Sequence, residues 1–420
     1  MTPQIVPPAE HRMSASDKLH FPLVDSSYDN QEIVSCMATL LSGQLTMGAK
    51  VRQFEDSFAK YCGARYAVMV NSGSSANLLA MSVMTNPLRG THLRAGDKVA
   101  VPAVCWSTSL WPVLQTGLVP VLVDVDPATL NLSIPSLRAA LKQHDLKAVL
   151  MVHVLGNSTE LHDLMDIVRD HKLMLMEDTC ESLGSTYQGR MLGSVGSFGT
   201  FSFYFSHHMT TIEGGMVLAE SAEDYDLLKC LRAHGWSREQ SNRVALENAN
   251  RHIDPRFLFV NVGYNLRPME IQAAFGIEQL TRLDDMNRHR RANVLRIREA
   301  FMQHKQWRDQ LSFPAATRDL DACWFGFPFL VSPSINLDYR QFTSRLLQQG
   351  IDTRPIVSGN MALQPAVKHF NVDLSMGPFT GAQAVHERGL FIGCHARPLP
   401  EATITALVEL ILGCLRDCSR

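Results

Sequence analysis

The sequence predicts an α/β protein built on a mainly parallel sheet, with a second, smaller α/β domain after it. Three observations support this prediction. Short apolar runs alternate with helix-like segments, as in parallel sheets with helical crossovers. The runs are almost continuously apolar, which is typical of strands buried on both faces. A long charged segment at about 268–301 then precedes a region with strands and helices of its own.

The elements follow one another regularly along the chain. The predicted strands of the large sheet are 66–70, 98–102, 119–125, 148–154, 173–176, 200–205 and 216–219. Two intervening segments, 134–146 and 159–172, repeat apolar residues at spacings of three and four, which predicts amphipathic helices. We therefore expect a flexible N-terminal arm at 1–20, a large domain at 21–280 and a small C-terminal domain at 281–420.

Composition excludes several classes of function. The formal net charge of the 420 residues is −2 and no block of like charge stands out, so we expect no nucleic-acid partner. No apolar run reaches the roughly 20 residues that span a bilayer, and the N-terminus lacks an apolar signal core. The nine cysteines are dispersed, which favours reduced thiols and a cytoplasmic location.

Residues 70–80, VNSGSSANLLA, suggest a phosphate site. A predicted strand ends in Gly73, Ser74 and Ser75, and a helix begins there. Such a turn offers backbone N–H groups, hydroxyls and the positive end of a helix to an anion. An ordinary helix cap explains the same serines, because Ser is a preferred N-cap residue.

Two further residues follow predicted strands, at the edge where open α/β sheets bind ligands. Trp106 could lie over a flat ring, although a tryptophan at such a position is more often part of a core or an interface. Asp178 ends the apolar run LMLMED, where a buried carboxylate needs a partner. A protonated ring nitrogen is one such partner, and a helix cap or a salt bridge is the alternative.

The segment FYFSHHMTTIEGG at 203–215 carries the fourth candidate site. The predicted strand brings Ser202, Ser206 and His207 to the same edge. His207 and His208 should point in opposite directions on an extended chain, so they do not suit one metal ion. No Cys-x-x-Cys or His-x-x-x-His partner is nearby, and we therefore predict no metal site.

Together, a phosphate-binding turn, an aromatic ring, a carboxylate and a reactive group on a late strand describe a pyridoxal phosphate pocket. From about residue 30 onward the chain resembles the fold-type-I sugar-nucleotide aminotransferases that act on 4-keto sugars. NSGSSAN resembles their phosphate motif, EDTCESLG their Glu-Asp block, and GYNLRP at 263–268 their Gly-x-Asn-x-Arg segment. The resemblance implies a mainly parallel seven-stranded sheet with flanking helices, and a homodimer with shared active sites.

One position departs from this family. Its members carry a lysine where His207 stands here, six residues before Glu213, and this chain has no lysine between Lys172 and Lys229. The pattern SFYFSHH is instead similar to the lysine-less GDP-4-keto-6-deoxymannose 3-dehydratases of colitose biosynthesis. That resemblance implies non-covalent pyridoxal phosphate, which glutamate converts to pyridoxamine phosphate. It also implies that His207 is the base when the C3 hydroxyl of a nucleotide-linked 4-keto-6-deoxyhexose is expelled.

The resemblance assigns the remaining site residues. The implied cofactor-binding residues are Gly73, Ser74, Ser75, Trp106, Asp178, Glu181, Ser202 and Asn265, with Asn265 directed to the neighbouring subunit's cofactor. The implied substrate-binding residues are Ser206, His234, Arg267 and Arg354. The implied partners are a nucleotide sugar and L-glutamate, with no metal and no membrane.

Three alternatives stay open at the level of sequence. The first is a true aminotransferase that takes its lysine from elsewhere in the chain. The second is a CDP-sugar 3-dehydratase, which needs an iron–sulfur cluster; its Cys-x-Cys pair is absent, so we expect no cluster. The third is a cofactor-binding regulator with a decayed site, although decay should have altered more motifs than the lysine alone.

Overall fold

The structure is a computed structural model of the chain and describes residues 19–25 and 27–419. Its α-helices are α1 Asn30–Ser42, α2 Ala49–Cys62, α3 Gly73–Met84, α4 Ser107–Gln115, α5 Ile134–Gln143, α6 Leu161–Asp170, α7 Ala222–Arg232, α8 Arg243–Ala249, α9 Glu270–Gln303, α10 Tyr339–Gln348, α11 Thr380–Arg388 and α12 Glu401–Cys418. The strands of the large sheet are β1 Tyr66–Val70, β2 Lys98–Pro102, β3 Val119–Val123, β4 Leu146–Val152, β5 Met174–Asp178, β6 Phe198–Ser202 and β7 Gly215–Ala219.

The large sheet has seven strands in the order β1-β7-β6-β5-β4-β2-β3. Strand β7 runs antiparallel to both of its neighbours, and the pairs from β6 to β3 are parallel. The predicted mainly parallel, seven-stranded sheet is therefore confirmed. Because the strands share one direction apart from β7, the carboxyl ends of β1, β2, β4, β5 and β6 lie along one edge.

Each predicted strand is present, with shifted ends in several cases. The shifted end that matters most for the site is that of β6, which ends at Ser202 and not at residue 205. The chain leaves the sheet there because Phe203 donates its N–H to Gly214 O and accepts one from Thr211, which closes a loop over residues 203–214. The two predicted helices are the slightly shorter α5 and α6.

A second sheet follows the long helix α9. Its strands are β8 Leu311–Ser312, β9 Gly326–Val331, β10 Thr353–Pro355 and β11 Gly389–Gly393, in the antiparallel order β8-β9-β11-β10. Helix α9 packs against α1, α2 and α12. The proposed boundary between residues 280 and 281 therefore falls inside one continuous helix.

Most of the predicted N-terminal arm, residues 1–18, lies outside the described residues. The last part of the predicted arm is not a free segment. Leu19 is buried, and Phe21 exchanges backbone hydrogen bonds with Gly350 and Asp352. Of the helices in the described part of the chain, none has the length and apolar character to cross a membrane.

Candidate active site

A cavity of about 620 Å³ lies at the carboxyl edge of the large sheet, between that edge and β10. It collects most of the residues predicted from separate parts of the sequence. The predicted residues that line it are Gly73, Ser74, Trp106, Asp178, Glu181, Ser202, Ser206, His207 and Arg354. No lysine is among the described residues that line this cavity.

The N-terminus of α3 forms one wall. Ser72 is the N-cap residue, and its Oγ accepts the N–H of Ser75 at 3.1 Å. Ser75 therefore belongs to the helix cap and does not line the cavity. A β-carbon on Gly73 would lie only 2.5 Å from Ser202 Cβ, so glycine is required for α3 to approach β6. This approach places the free N–H groups of the first helical turn beside the hydroxyl of Ser202.

Asp178 lies at the end of β5 and is buried. Its Oδ2 accepts two short hydrogen bonds, from Asn77 Nδ2 at 2.7 Å and Ser109 Oγ at 2.6 Å. Among the described residues, its Oδ1 accepts the backbone N–H of Cys180 at a longer 3.2 Å. The carboxylate is thus held in one orientation, with Oδ1 the less saturated oxygen for a cationic ligand atom.

Asn77 and Ser109 were not predicted from the sequence. Asn77 also donates to Thr108 O at 3.1 Å and accepts from Thr200 Oγ1 at 2.6 Å, so it connects α3, α4, β5 and β6. One signal was available for Asn77. It follows Gly73 by four residues, and residues four apart share one face of a helix.

Glu181 lies three residues beyond Asp178 and also lines the cavity. Its Oε2 accepts the N–H of Leu155 at 3.0 Å. Burial raises the pKa of Glu181 to about 7, the hydrogen bond from Leu155 opposes this shift, and the charge of Asp178 adds to it. Near neutral pH, the Glu181 carboxyl group is therefore partly protonated, whereas an ordinary glutamate is ionised.

His207 lies in the loop after β6, five residues beyond the end of the strand, whereas the predicted strand ended two residues before it. Its N–H donates to Tyr204 O at 2.9 Å, which makes a turn and directs the imidazole into the cavity. The edge of Phe325 packs on the ring at a centroid distance of 5.2 Å. Nδ1 is buried and has no partner among the described residues. Burial, and secondly the charge of Arg290, lowers the pKa of His207 to about 3.

This pKa lies well below that of an ordinary histidine side chain. The imidazole is neutral in this cavity and is therefore ready to accept a proton. An anionic ligand placed beside it would favour the protonated form and raise the pKa.

His208 points away from the cavity, as predicted, although the backbone is a turn and not extended. It is fully buried, and its Nε2 donates to Cys323 O at 3.0 Å. Burial holds the pKa of His208 well below the ordinary value, and the charge of Arg290 adds to this effect. His208 is therefore a packed, neutral side chain that ties the loop to residue 323.

The structure does not bring His234, Asn265 and Arg267 to this cavity. Arg267 lines a separate depression of about 170 Å³ with Trp236, and its Nε donates to Asn265 Oδ1 at 2.9 Å. His234 contacts Trp236 at a ring centroid distance of 4.7 Å. Asn265 itself is exposed.

Known proteins provide an independent comparison. Residues 26–411 match the family model described as the DegT/DnrJ/EryC1/StrS aminotransferase family. The chain belongs to the DegT/DnrJ/EryC1/StrS aminotransferase family. This membership confirms the predicted fold class, which is fold type I of the pyridoxal-phosphate-dependent aminotransferases.

Relatives within the DegT/DnrJ/EryC1/StrS family are similar over nearly the whole chain. The GDP-4-keto-6-deoxy-D-mannose 3-dehydratase of Yersinia pseudotuberculosis is 37% identical over 385 residues, which cover 91% of this chain and 96% of that protein. The Escherichia coli enzyme of the same name, solved with bound hydrated PLP, has a TM-score of 0.87 and 36% identity over 94% of this chain and 100% of that one. A GDP-4-keto-6-deoxymannose 3-dehydratase with a trapped PLP–glutamate geminal diamine has a TM-score of 0.84 and 35% identity over 93% and 100%.

The cavity fits pyridoxal phosphate on its own chemistry. The start of α3, with Ser74 and Ser202, offers N–H and hydroxyl donors to a phosphate. Asp178 offers a fixed carboxylate to a ring nitrogen, and Trp106 lies at the wall with an exposed ring face. The unpartnered Nδ1 of His207 shows that the wall has a polar atom with no protein group to satisfy it.

Proposed function

We propose that this chain is a pyridoxal-phosphate-dependent 3-dehydratase of a nucleotide-linked 4-keto-6-deoxyhexose, with GDP-4-keto-6-deoxy-D-mannose as the substrate. The observation that carries the proposal is a cavity without a lysine among its described lining residues, into which both His207 and the clamped carboxylate of Asp178 face. The name shared by the similar Yersinia and E. coli proteins supports the choice of sugar.

The residues divide the work by their positions. The α3 N-terminus and Ser202 would hold the phosphate, Trp106 would offer its ring face to the pyridine ring, and Asp178 would stabilise a protonated ring nitrogen. When bound, pyridoxal phosphate supplies an electron sink, and its amine form supplies the amine that reacts with the sugar's C4 ketone. Non-covalent binding follows, because none of the described cavity residues is a lysine.

His207 is the proposed base. Its neutral imidazole removes the proton that makes electrons available for expulsion of the C3 hydroxyl. Once protonated, the same imidazole can return a proton to the departing oxygen. In the balanced reaction, the sugar exchanges its C3 hydroxyl for hydrogen, and glutamate supplies two electrons and becomes 2-oxoglutarate with release of ammonia.

We also propose that the chain works as a homodimer in the cytoplasm, where nucleotide sugars are made. The face around Asn265 supports the assembly, because it exposes several large apolar side chains. These are Phe257, Phe259, Val262 and Tyr264. In such a dimer, Asn265, His234 and Arg267 would contribute to the partner's cavity.

The test is incubation with a panel of 4-keto nucleotide sugars, with and without L-glutamate, followed by mass spectrometry. The proposal expects a product that is lighter than the substrate by one oxygen atom, formed only with glutamate and fastest with the GDP-linked mannose derivative. Accumulation of an amino sugar would instead identify an aminotransferase.

A further inference from the structure

A buried arginine lies directly beneath the loop that carries His207. Arg290, in the middle of α9, is 5% exposed. Its Nη1 donates to the carbonyl oxygens of Cys394 and, at 3.3 Å, of Phe325, and its Nη2 lies 3.5 Å from the carbonyl oxygen of His207. The guanidinium thus contacts three separate segments: the loop that carries the imidazole, the segment of Phe325 that packs against the imidazole, and the segment of Cys394.

Arg290 lacks the partner that a buried cation normally has. Within residues 19–25 and 27–419, the structure places no carboxylate in ion-pair distance of its guanidinium, and its Nε has no hydrogen-bond partner. Other arginines of the fold show the contrast: Arg232 is equally buried but pairs with Glu55 and Glu239. A buried charge without a counter-charge lowers stability, so its presence calls for a functional reason.

We propose that Arg290 is a positioning residue that acts through His207, by tying together the main chain around the imidazole and by placing a fixed positive charge against it. This inference rests on the proposed function, in which His207 is the base. It adds a residue outside the cavity wall to that function.

Two contacts explain how the positioning works. The carbonyl groups of His207 and Phe325 face the same guanidinium, and the Phe325 ring packs edge-on against the His207 ring. Fixing both carbonyls therefore fixes the ring and the surface on which it rests. Removing the planar fork of donors should let the imidazole move, and a displacement of about 1 Å can lower a rate roughly 100-fold.

The charge has a separate effect. The pKa of His207 is low first because of burial and second because of Arg290. The other described titratable or charged groups on the same loop and on the cavity walls are Tyr204, His208, His153, Asp178, Cys180, Glu181, Glu213 and Arg354. Removing Arg290 leaves the burial in place, so the pKa of His207 should rise but stay below that of an exposed histidine.

The first experiment measures this pKa without cofactor or substrate. The protein is labelled with 13C at histidine Cε1, the His207 signal is assigned with His207→Asn, and spectra are recorded from pH 8 to pH 4.5. In the unsubstituted protein the signal should not change above pH 5. In Arg290→Met the titration of His207 should move to higher pH, so that its upper limb enters the measured range.

Arg296→Met is the matched control. Arg296 also lies on α9 and also donates to a backbone carbonyl, Leu399 O at 2.7 Å, but it pairs with Glu401 and does not contact the His207 loop. The His207 signal of the Arg296→Met protein should match that of the unsubstituted protein. A His207 signal that titrates near pH 6.5 in the unsubstituted protein overturns the proposal, as does an Arg290→Met titration identical to the control.

Arg290→Lys separates geometry from charge and guards against a Met variant that does not fold. Lysine keeps the charge but not the fork, so the His207 signal should stay flat while kcat falls about tenfold or more, with unchanged cofactor affinity and KM. A parallel loss of cofactor affinity and thermal stability with unchanged kcat would reduce Arg290 to a structural residue. If the unsubstituted protein removes no oxygen from any sugar, the proposed function fails, but the titrations still decide the role of Arg290.

Discussion

Replacing each of the two adjacent histidines by alanine should separate stability from activity. His208 is fully buried and donates to Cys323 O at 3.0 Å, so His208→Ala leaves that carbonyl unsatisfied, which costs about 1–3 kcal/mol. The cavity left by the ring adds a further loss on the order of 1–2 kcal/mol. Within the described part of the chain, the His207 side chain makes no hydrogen bond, and it lines an open cavity, so His207→Ala should cost less than about 1 kcal/mol.

Urea unfolding at pH 8, where both imidazoles are neutral, measures the difference. The His208→Ala midpoint should fall clearly below that of the unsubstituted protein, with an unchanged slope, while the His207→Ala midpoint should stay close to it. Activity should follow the opposite order: His207→Ala inactive and His208→Ala active under conditions where it is folded. Equal midpoints would contradict the structural role assigned to His208. An active His207→Ala protein would contradict the role of His207 as the base.

Three further predictions follow from contacts at the same site. Gly73→Ala should weaken cofactor binding in an absorbance titration, since its Cβ would lie 2.5 Å from Ser202 Cβ, whereas Gly413→Ala, which has open space, should bind normally. The unfolding free energy should fall as pH drops below about 6.5, because His207 and His208 have lowered folded-state pKa values and the unfolded chain takes up more protons there; in His207→Asn, denaturation curves at pH 5 and pH 8 should differ less. His207→Lys should give a covalent pyridoxyl label after borohydride, and an unlabelled protein would mean that position 207 does not face the cofactor's reactive carbon.

Local sequence patterns were sufficient for the sheet and for much of the cavity. The strands are apolar runs, and parallel strands bring their carboxyl ends to one edge, so Gly73, Asp178 and His207 could be predicted to meet. The carboxyl end of the strand that leads to His207 was predicted three residues too far along the chain. Its residues 203–205 are apolar and aromatic, but backbone hydrogen bonds from Phe203 to residues 211 and 214 close a loop there.

Partners that are distant in sequence could not be predicted in the same way. Asn77 and Ser109 contact Asp178 across 101 and 69 residues, and Arg290 reaches the His207 loop from a helix 83 residues further along. The spacing of Asn77 from Gly73 indicated a shared helix face, but nothing in the local pattern of a helix distinguishes Ser109 or Arg290 from a solvent-facing side chain. Only the three-dimensional arrangement reveals that Asp178 is clamped and that no carboxylate among the described residues pairs with Arg290.

A single turnover tests the central claim most directly. The protein is loaded with pyridoxamine phosphate, mixed with GDP-4-keto-6-deoxy-D-mannose in the absence of glutamate, and quenched for mass spectrometry beside His207→Asn. The unsubstituted protein should form one equivalent of a sugar that lacks one oxygen atom, and the variant should bind the cofactor equally well but form none. Product formation by His207→Asn at the unsubstituted rate would contradict the assignment of His207 as the base.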